Sequence, residues 1–236
     1  MRVADDGVRT GEGPLSLLRV SRQSTPSLIA GQLRSAITHG VLAPGSQLGE
    51  AELAAQFGVS RGPLREAMQR LVQEGLLRSE HNRGLFVISL EPEDVRDIYT
   101  ARAAVERAAV TLIVKGARHA AADQLKAVHD DMVLAAERGD RAGLSDADLR
   151  FHETLVGLSG SPRLARMHGT LLVETRMCLT ALQNTNRPSA EAVEEHGELV
   201  EAVRAGDKRR LIRLIDAHMD DALRRLIPDS VRRQGS

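Results

Sequence analysis

Apolar residues recur at helical spacing along nearly the whole chain. The first set is Leu28, Ile29, Leu33 and Ile37; it follows Ser24-Thr25-Pro26, a capping hydroxyl with proline in the first turn, and stops at Gly40. Val41-Leu42-Ala43-Pro44-Gly45 is a turn signal. Residues 50–57 predict a short helix, Gly58-Val59-Ser60 a tight turn, and 61–74 a second helix with the stripe Leu64, Ala67, Met68, Leu71 and Val72. Leu76-Leu77-Arg78 and Leu85-Phe86-Val87-Ile88 read as short strands joined by a hairpin turn at Glu80-His81-Asn82-Arg83-Gly84. After Ser89 the texture changes. Ser89-Leu90-Glu91-Pro92 opens a long helix to about Lys115, and further helices are predicted over 119–138, 141–158, 162–183, 189–205 and 207–227. The breaks are Gly116, Gly139, Gly160-Ser161-Pro162, Arg187-Pro188 and Gly206-Asp207.

The fold class is therefore mostly α. The expected division is a flexible arm over 1–23, a small helix-plus-hairpin domain over 24–89, an all-α antiparallel helical bundle over 90–228 and a tail over 229–236. No repeat of 20–50 residues is visible.

Composition narrows the functions open to such a chain. Of 236 residues, 42% are hydrophobic, enough for a core, and 27% are charged. Aromatics are only 2%, namely Phe57, Phe86, Phe151 and Tyr99, which argues against modules that stack bases on aromatic platforms. One cysteine, Cys178, excludes an internal disulfide framework. No stretch approaches about 18 uninterrupted apolar residues, so no membrane span is expected. The N-terminus lacks the apolar run of a secretory signal, and the protein reads as cytoplasmic. The formal net charge is zero, which excludes a bulk polycation but not a local basic face. Over 25–88, six arginines stand against five acids, so nucleic-acid affinity there must come from placed residues and dimerisation.

Arg61, Arg65 and Gln69 lie four apart on one face of the helix from 61, away from its apolar stripe. A helix whose first turn presents arginines can enter a major groove, where guanidinium bonds guanine edges or phosphate. Gly62 allows close approach to the backbone, free N–H groups near Ser60 favour a phosphate oxygen, and Arg83 at the hairpin tip would reach an adjacent groove. The alternative is that these arginines are ordinary solvated surface.

In the bundle, Asp148 and His152 are four apart and share a helix face. His196 sits on a stripe with Val193, Val200 and Val203, and His218 on one with Leu211, Leu214, Ile215 and Ala222. One carboxylate and three imidazoles facing one interior suit a divalent ion, one per chain, such as zinc, nickel or manganese. Alternatively each is a hydrogen-bonded core histidine. His168 is a rival ligand and His129 a weaker one; His39, His81 and His119 read as exposed. Arg102 and Glu106 fall on the apolar stripe of 92–115, with Val95, Ile98, Tyr99, Ala109, Leu112 and Ile113. Either they pair with each other, or Arg102 receives a carboxylate effector bidentately; the two can coexist.

Several stretches resemble the GntR family of bacterial transcription regulators: residues 45–54, Gly58-Val59-Ser60-Arg61-Gly62-Pro63-Leu64-Arg65-Glu66-Ala67, Leu71-Val72-Gln73-Glu74-Gly75-Leu76-Leu77 and Asn82-Arg83-Gly84. The resemblance implies a winged helix-turn-helix that binds palindromic double-stranded DNA operators as a homodimer. By position, Arg61 and Arg65 match contacting arginines, Ser60 and Pro63 the helix start, and Gly84 the wing tip. Ala51 stands where many members carry arginine. The helical part resembles the FadR-type ligand domain called FCD, through Arg102, Glu106, Asp148-Leu149-Arg150-Phe151-His152, Glu195-His196, Gly206-Asp207 and His218. Ser161 departs from the usual asparagine. In metal-binding members the positions of Asp148, His152, His196 and His218 hold a divalent ion in the effector pocket. The reading is a regulator, expected to be a repressor, controlled by a small organic acid, and not an enzyme. The alternatives are a metal-independent sensor of acyl-CoA or another lipid-like ligand, and a metal-dependent hydrolase. The hydrolase lacks an HExxH motif, a G-x-S-x-G elbow and a separate general base.

Overall fold

The computed structural model describes residues 24–181 and 189–227; the predicted arm, the C-terminal tail and the Arg187-Pro188 break lie outside them. Helix α1 (Thr25–Thr38) begins where Ser24 accepts a hydrogen bond from the Ser27 amide, with Pro26 in the first turn. It buries Ile29, Ala30, Leu33 and Ile37. Leu28, assigned to that row by spacing, is instead 50% exposed, because it lies about 100° of helix rotation off the row.

Helices α2 (Glu50–Phe57) and α3 (Arg61–Gln73) flank the predicted turn, where Gly58 adopts a left-handed φ of 64° that an L side chain rarely tolerates. The predicted hairpin is present as β2 (Leu77–Glu80) and β3 (Gly84–Val87). A two-residue strand, β1 (Gln47–Leu48), pairs with the free edge of β3, giving the antiparallel order β1-β3-β2. Two residues show no alternation, so periodicity could not reveal β1. Leu33, Leu64, Met68, Leu71, Leu76 and Val87 close this small core.

The remaining elements are α4 (Pro92–Lys115), α5 (Arg118–Glu137), α6 (Arg141–Gly157), α7 (Pro162–Ala181), α8 (Ser189–Ala205) and α9 (Lys208–Leu226). A reciprocal capping box between Glu91 and Asp94 fixes the start of α4. This helix is the axis of the bundle, packing on α6, α7 and α9, while α5 packs on α6 and α8. Its buried face carries Arg102 and Glu106 as predicted, but Leu112 is 43% exposed. Ala109, Val110 and Ile113 take the inward positions of that turn.

Helix α7 also reaches the N-terminal domain. Met177 and half-buried Val173 pack into the small core, and the Thr180 hydroxyl donates to the carbonyl of Thr38 at 2.7 Å, at the end of α1. Among the described residues, no helix is long and apolar enough to cross a membrane.

Candidate functional site

Asp148 and His152 are one turn apart on α6, His196 comes from α8 and His218 from α9. Helical periodicity places each on a buried face, and the three imidazoles converge. Nε2 of His152 lies 3.0 Å from Nε2 of His218 and 3.3 Å from Nε2 of His196, which is 3.3 Å from Oδ1 of Asp148. One donor atom from each of the four lies within 4.8 Å of the others. Phe151 holds two of the rings edge-on, its centroid 5.8 Å from His152 and 4.8 Å from His196.

The opposite ring nitrogens determine what this cluster can bind. Nδ1 of His152 faces Oε2 of Glu106 at 2.8 Å, Nδ1 of His196 the Ala192 carbonyl at 2.7 Å, and Nδ1 of His218 Oε2 of Glu195 at 3.2 Å. Each partner is an acceptor, so each Nδ1 carries the hydrogen and each Nε2 is left as a lone pair. Three lone pairs crowded in a buried space repel unless a cation lies between them. Ligand atoms bonded to one ion at about 2.0–2.1 Å stand roughly 2.8–3.4 Å apart at right or tetrahedral angles. The three donor-to-donor distances above fall in that range and the whole set spans no more than 4.8 Å, so with a small inward shift of the outlying donors these residues fit a divalent metal.

The electrostatics point the same way. Burial pushes His152 and His218 below their ordinary pKa, although Glu106 and Glu195 pull back, so both rings stay neutral and able to ligate. Burial would raise Asp148, but His196, His152 and His218 hold it at about 2. Burial would likewise raise Glu106, but His152 and Arg102, with hydrogen bonds from His152 and His168, keep it well below the carboxylate range.

Glu106 is the hub of the interior. Its Oε1 accepts from Arg102 Nε and Nη2 at 3.3 and 3.1 Å and faces His168 Nε2 at 3.0 Å, while Oε2 faces His152. His168, the rival ligand, therefore supports Glu106 rather than joining the four donors. His129 faces the Val193 carbonyl at 2.9 Å, outside the cluster. His39, His81 and His119 are exposed, as expected. The parts of the site that spacing did not reveal are the anchoring roles of Glu106 and Glu195; for Glu195, its place beside His196 in the sequence was the only signal.

A cavity of about 450 Å³ opens beside the cluster, lined by Asp148, His218, Arg102 and Tyr99 from the bundle and by Thr38 and His39 from α1. Arg102 is fully buried, its guanidinium 5.2 Å from the Tyr99 ring centroid. Its ion pair with Glu106 and its place on the cavity wall coexist.

In the small domain, Ser60, Arg61, Gly62, Arg65 and Gln69 are exposed along the start of α3, and Pro63 is half-buried. No side chain caps the first turn of α3, so its amides remain open to an anion. Arg65 is paired with Glu50 of α2 at 2.7 Å, a contact the sequence did not disclose. Arg83 projects at the hairpin tip, paired with Glu80 at 2.5 Å and 5.2 Å from the Phe86 ring centroid. Gly84 beside it has a φ of 96°, which the turn requires.

Comparison with known proteins bears on both halves. The FCD domain profile matches residues 97–221, and the profile of bacterial regulatory proteins of the gntR family matches 27–87. The chain is 30% identical over 80% of its length to the uncharacterized HTH-type transcriptional regulator YdhC of Bacillus subtilis, covering 85% of that relative. It is 26% identical over 86% of its length to the gluconate operon transcriptional repressor of the same organism, again covering 85% of the relative. Among solved structures, E. coli McbR/YncC superposes with a TM-score of 0.74 at 25% identity, over 87% of this chain and 98% of that one.

Proposed function

The chain belongs to the GntR family of bacterial regulatory proteins and carries an FCD domain, and from that premise we propose that this DNA-binding transcriptional regulator is a repressor released by a small carboxylate held in the bundle beside a divalent metal. Proteins of this kind are regulators, not enzymes. In our reading the operator is a palindromic double-stranded DNA bound by a homodimer in the cytoplasm. Ser60, Arg61, Gly62, Pro63, Arg65 and Gln69 enter the major groove, and Arg83 and Gly84 follow the neighbouring groove or backbone.

Asp148, His152, His196 and His218 would hold one zinc, nickel or manganese ion per chain. Such an ion supplies a positive centre that attracts a carboxylate oxygen. Arg102 orients the same carboxylate through the N–H donors that Glu106 leaves free, and Glu106 keeps both Arg102 and His152 aimed. The observation that carries this reading is the convergence of three lone-pair Nε2 atoms and one carboxylate beside a cavity that Asp148, His218 and a buried arginine line. The relative named for a gluconate operon adds support, since gluconate is a hydroxylated carboxylate.

Metal analysis of protein purified without chelator is expected to find about one divalent ion per chain, lost in His152→Ala and His218→Ala. A thermal-shift screen of small organic acids against the loaded protein is expected to find a stabilising acid whose effect disappears in Arg102→Ala. Metal-free protein from such a preparation, or an acid shift indifferent to Arg102, would overturn the proposal.

A further inference from the structure

The acid cavity shares a wall with a second space. Thr38, His39, Asp146 and Arg176 line it, and the same four residues line an open groove of about 500 Å³ between α1, α6 and α7. The partition between the two is the Arg176–Asp146 ion pair, with the guanidinium side chain 28% exposed. Beside it on the cavity rim stands Arg141, in the first turn of α6; it is exposed and has no ion pair among the described residues. Arg225, paired with Asp221, completes the rim.

The cavity thus carries arginines at two depths. Its buried end holds Arg102 with the donors Asp148 and His218; its open end holds Arg141 and Arg176. Leu144, Leu179 and Ala222 line the cavity as well and add apolar surface to it. One carboxylate would occupy only the buried end. A partly exposed ion pair such as Arg176–Asp146 is weak, so an incoming anion can replace Asp146 at little cost.

Building on the carboxylate reading above, we propose that the ligand has two anionic ends separated by a short chain. Its inner acid lies at Arg102 and the four metal donors. Its outer anionic group is received by Arg141 and Arg176 and draws Arg176 off Asp146. The outer end then lies against Thr38 and His39, so the ligand touches the last turn of α1 directly. Opening the Arg176–Asp146 pair also reshapes the groove on which α1 rests, which gives the ligand a physical handle on the DNA-reading domain.

Matched ligand pairs test this on the metal-loaded full chain by calorimetry. The pairs are 2-hydroxyglutarate against 2-hydroxyvalerate, 2-hydroxyadipate against 2-hydroxyhexanoate, and 3-phosphoglycerate against glycerate. In at least one pair the two-ended member is expected to bind ten-fold or more tightly, and the pair with the largest gain tells carboxylate from phosphate. Arg141→Ala with Arg176→Met is expected to bring that ratio close to one, with metal content as in the wild type. Asp146→Asn, which removes the competitor and keeps the fold's volume, is expected to raise the ratio several-fold. Equal affinities within every pair, or a ratio unmoved by both sets of variants, overturns the two-ended ligand and leaves the single-acid reading standing. If no acid of either kind binds the loaded protein, the carboxylate reading itself fails and this inference with it.

Discussion

Two carboxylates, Glu106 and Glu50, set the state of the residues around them. Glu106 neutralises Arg102 and fixes the tautomer of His152 at once. Replacing it with Gln keeps the volume but removes the charge, leaving a buried guanidinium with no counter-ion. Breaking one side of a buried pair costs about 3–5 kcal/mol, and losing a carboxylate behind a ligating histidine typically weakens metal affinity roughly 10–100-fold. Glu106→Gln should therefore lower Tm by several degrees and give up metal to a weaker chelator; retention of wild-type metal affinity would show that Glu106 does not orient the ligand. Glu50 acts on the DNA side. It holds Arg65 while the protein is free, at a site where phosphate would compete. An exposed pair is worth about 0–1 kcal/mol, so Glu50→Gln should tighten operator binding a few-fold in a gel-shift titration, whereas Arg65→Ala should abolish it with the fold intact. Unchanged affinity in Arg65→Ala would remove the recognition role of α3. The Glu50–Arg65 and Glu106–His152 contacts were not legible in the sequence, because 15 residues separate the first two and 46 the second two. The Arg102–Glu106 pair was legible because the residues are four apart on one helix.

At the level of elements, the helices were readable because glycine, proline and capping side chains punctuate an otherwise continuous 3.6-residue rhythm. Predicted bounds such as 141–158 and 189–205 differ from α6 and α8 by no more than one residue. The pattern erred where apolar residues sit beside a stripe rather than on it, as Leu28 and Leu112 do. It could not reveal β1, or that α7 serves both cores. That second role has a measurable consequence. The Thr180 hydroxyl donates both to the Thr38 carbonyl and, at 2.9 Å, to the carbonyl of Arg176 one turn back. Thr180→Val keeps the shape and removes the donor, loosening the end of α1 from α7. Thr180 also lines the cavity, so ligand-driven release from the operator is compared at saturating ligand, where it should become less complete. Full release in Thr180→Val would mean that the signal reaches α1 by another route. Between α2 and α3, Gly58→Ala should cost about 1 kcal/mol or more, because alanine at a φ of 64° is strained; a fall in Tm that spares metal content would place the damage in the small domain.

For the whole molecule, zero net charge conceals a division between a reader with a few placed arginines and a bundle that concentrates buried charge around four donors. The donor set was legible because every member obeys helical spacing on the helix that carries it; that α6, α8 and α9 bring the four to one point is a tertiary fact, supplied by α4 packing at the centre. Concentrated buried charge makes stability depend on pH. His152 and His218 are depressed by burial below their ordinary 6.5, so the unfolded chain takes up protons before the folded one does. Their contribution is whole above about pH 6.5 and is lost as pH falls below it. Glu106 and Asp148 are held below 4.5 and 3.8, so theirs is whole above those values and lost on further acidification toward pH 2. Both groups act in the same direction, and the metal-free protein should lose Tm steadily on the acid side, first through the imidazoles and then through the carboxylates. A bound metal competes with those imidazole protons, and because burial holds the folded rings below their ordinary 6.5, the competition begins only on the acid side of that value. The Tm difference between metal-loaded and chelator-treated protein should therefore stay nearly constant from about pH 7.5 down to about 6.5 and close only on further acidification, as the depressed imidazoles of the folded protein take up protons. A difference that widens on acidification would mean that protonated histidines do not oppose the ion, and that the donors are not the three imidazoles on α6, α8 and α9.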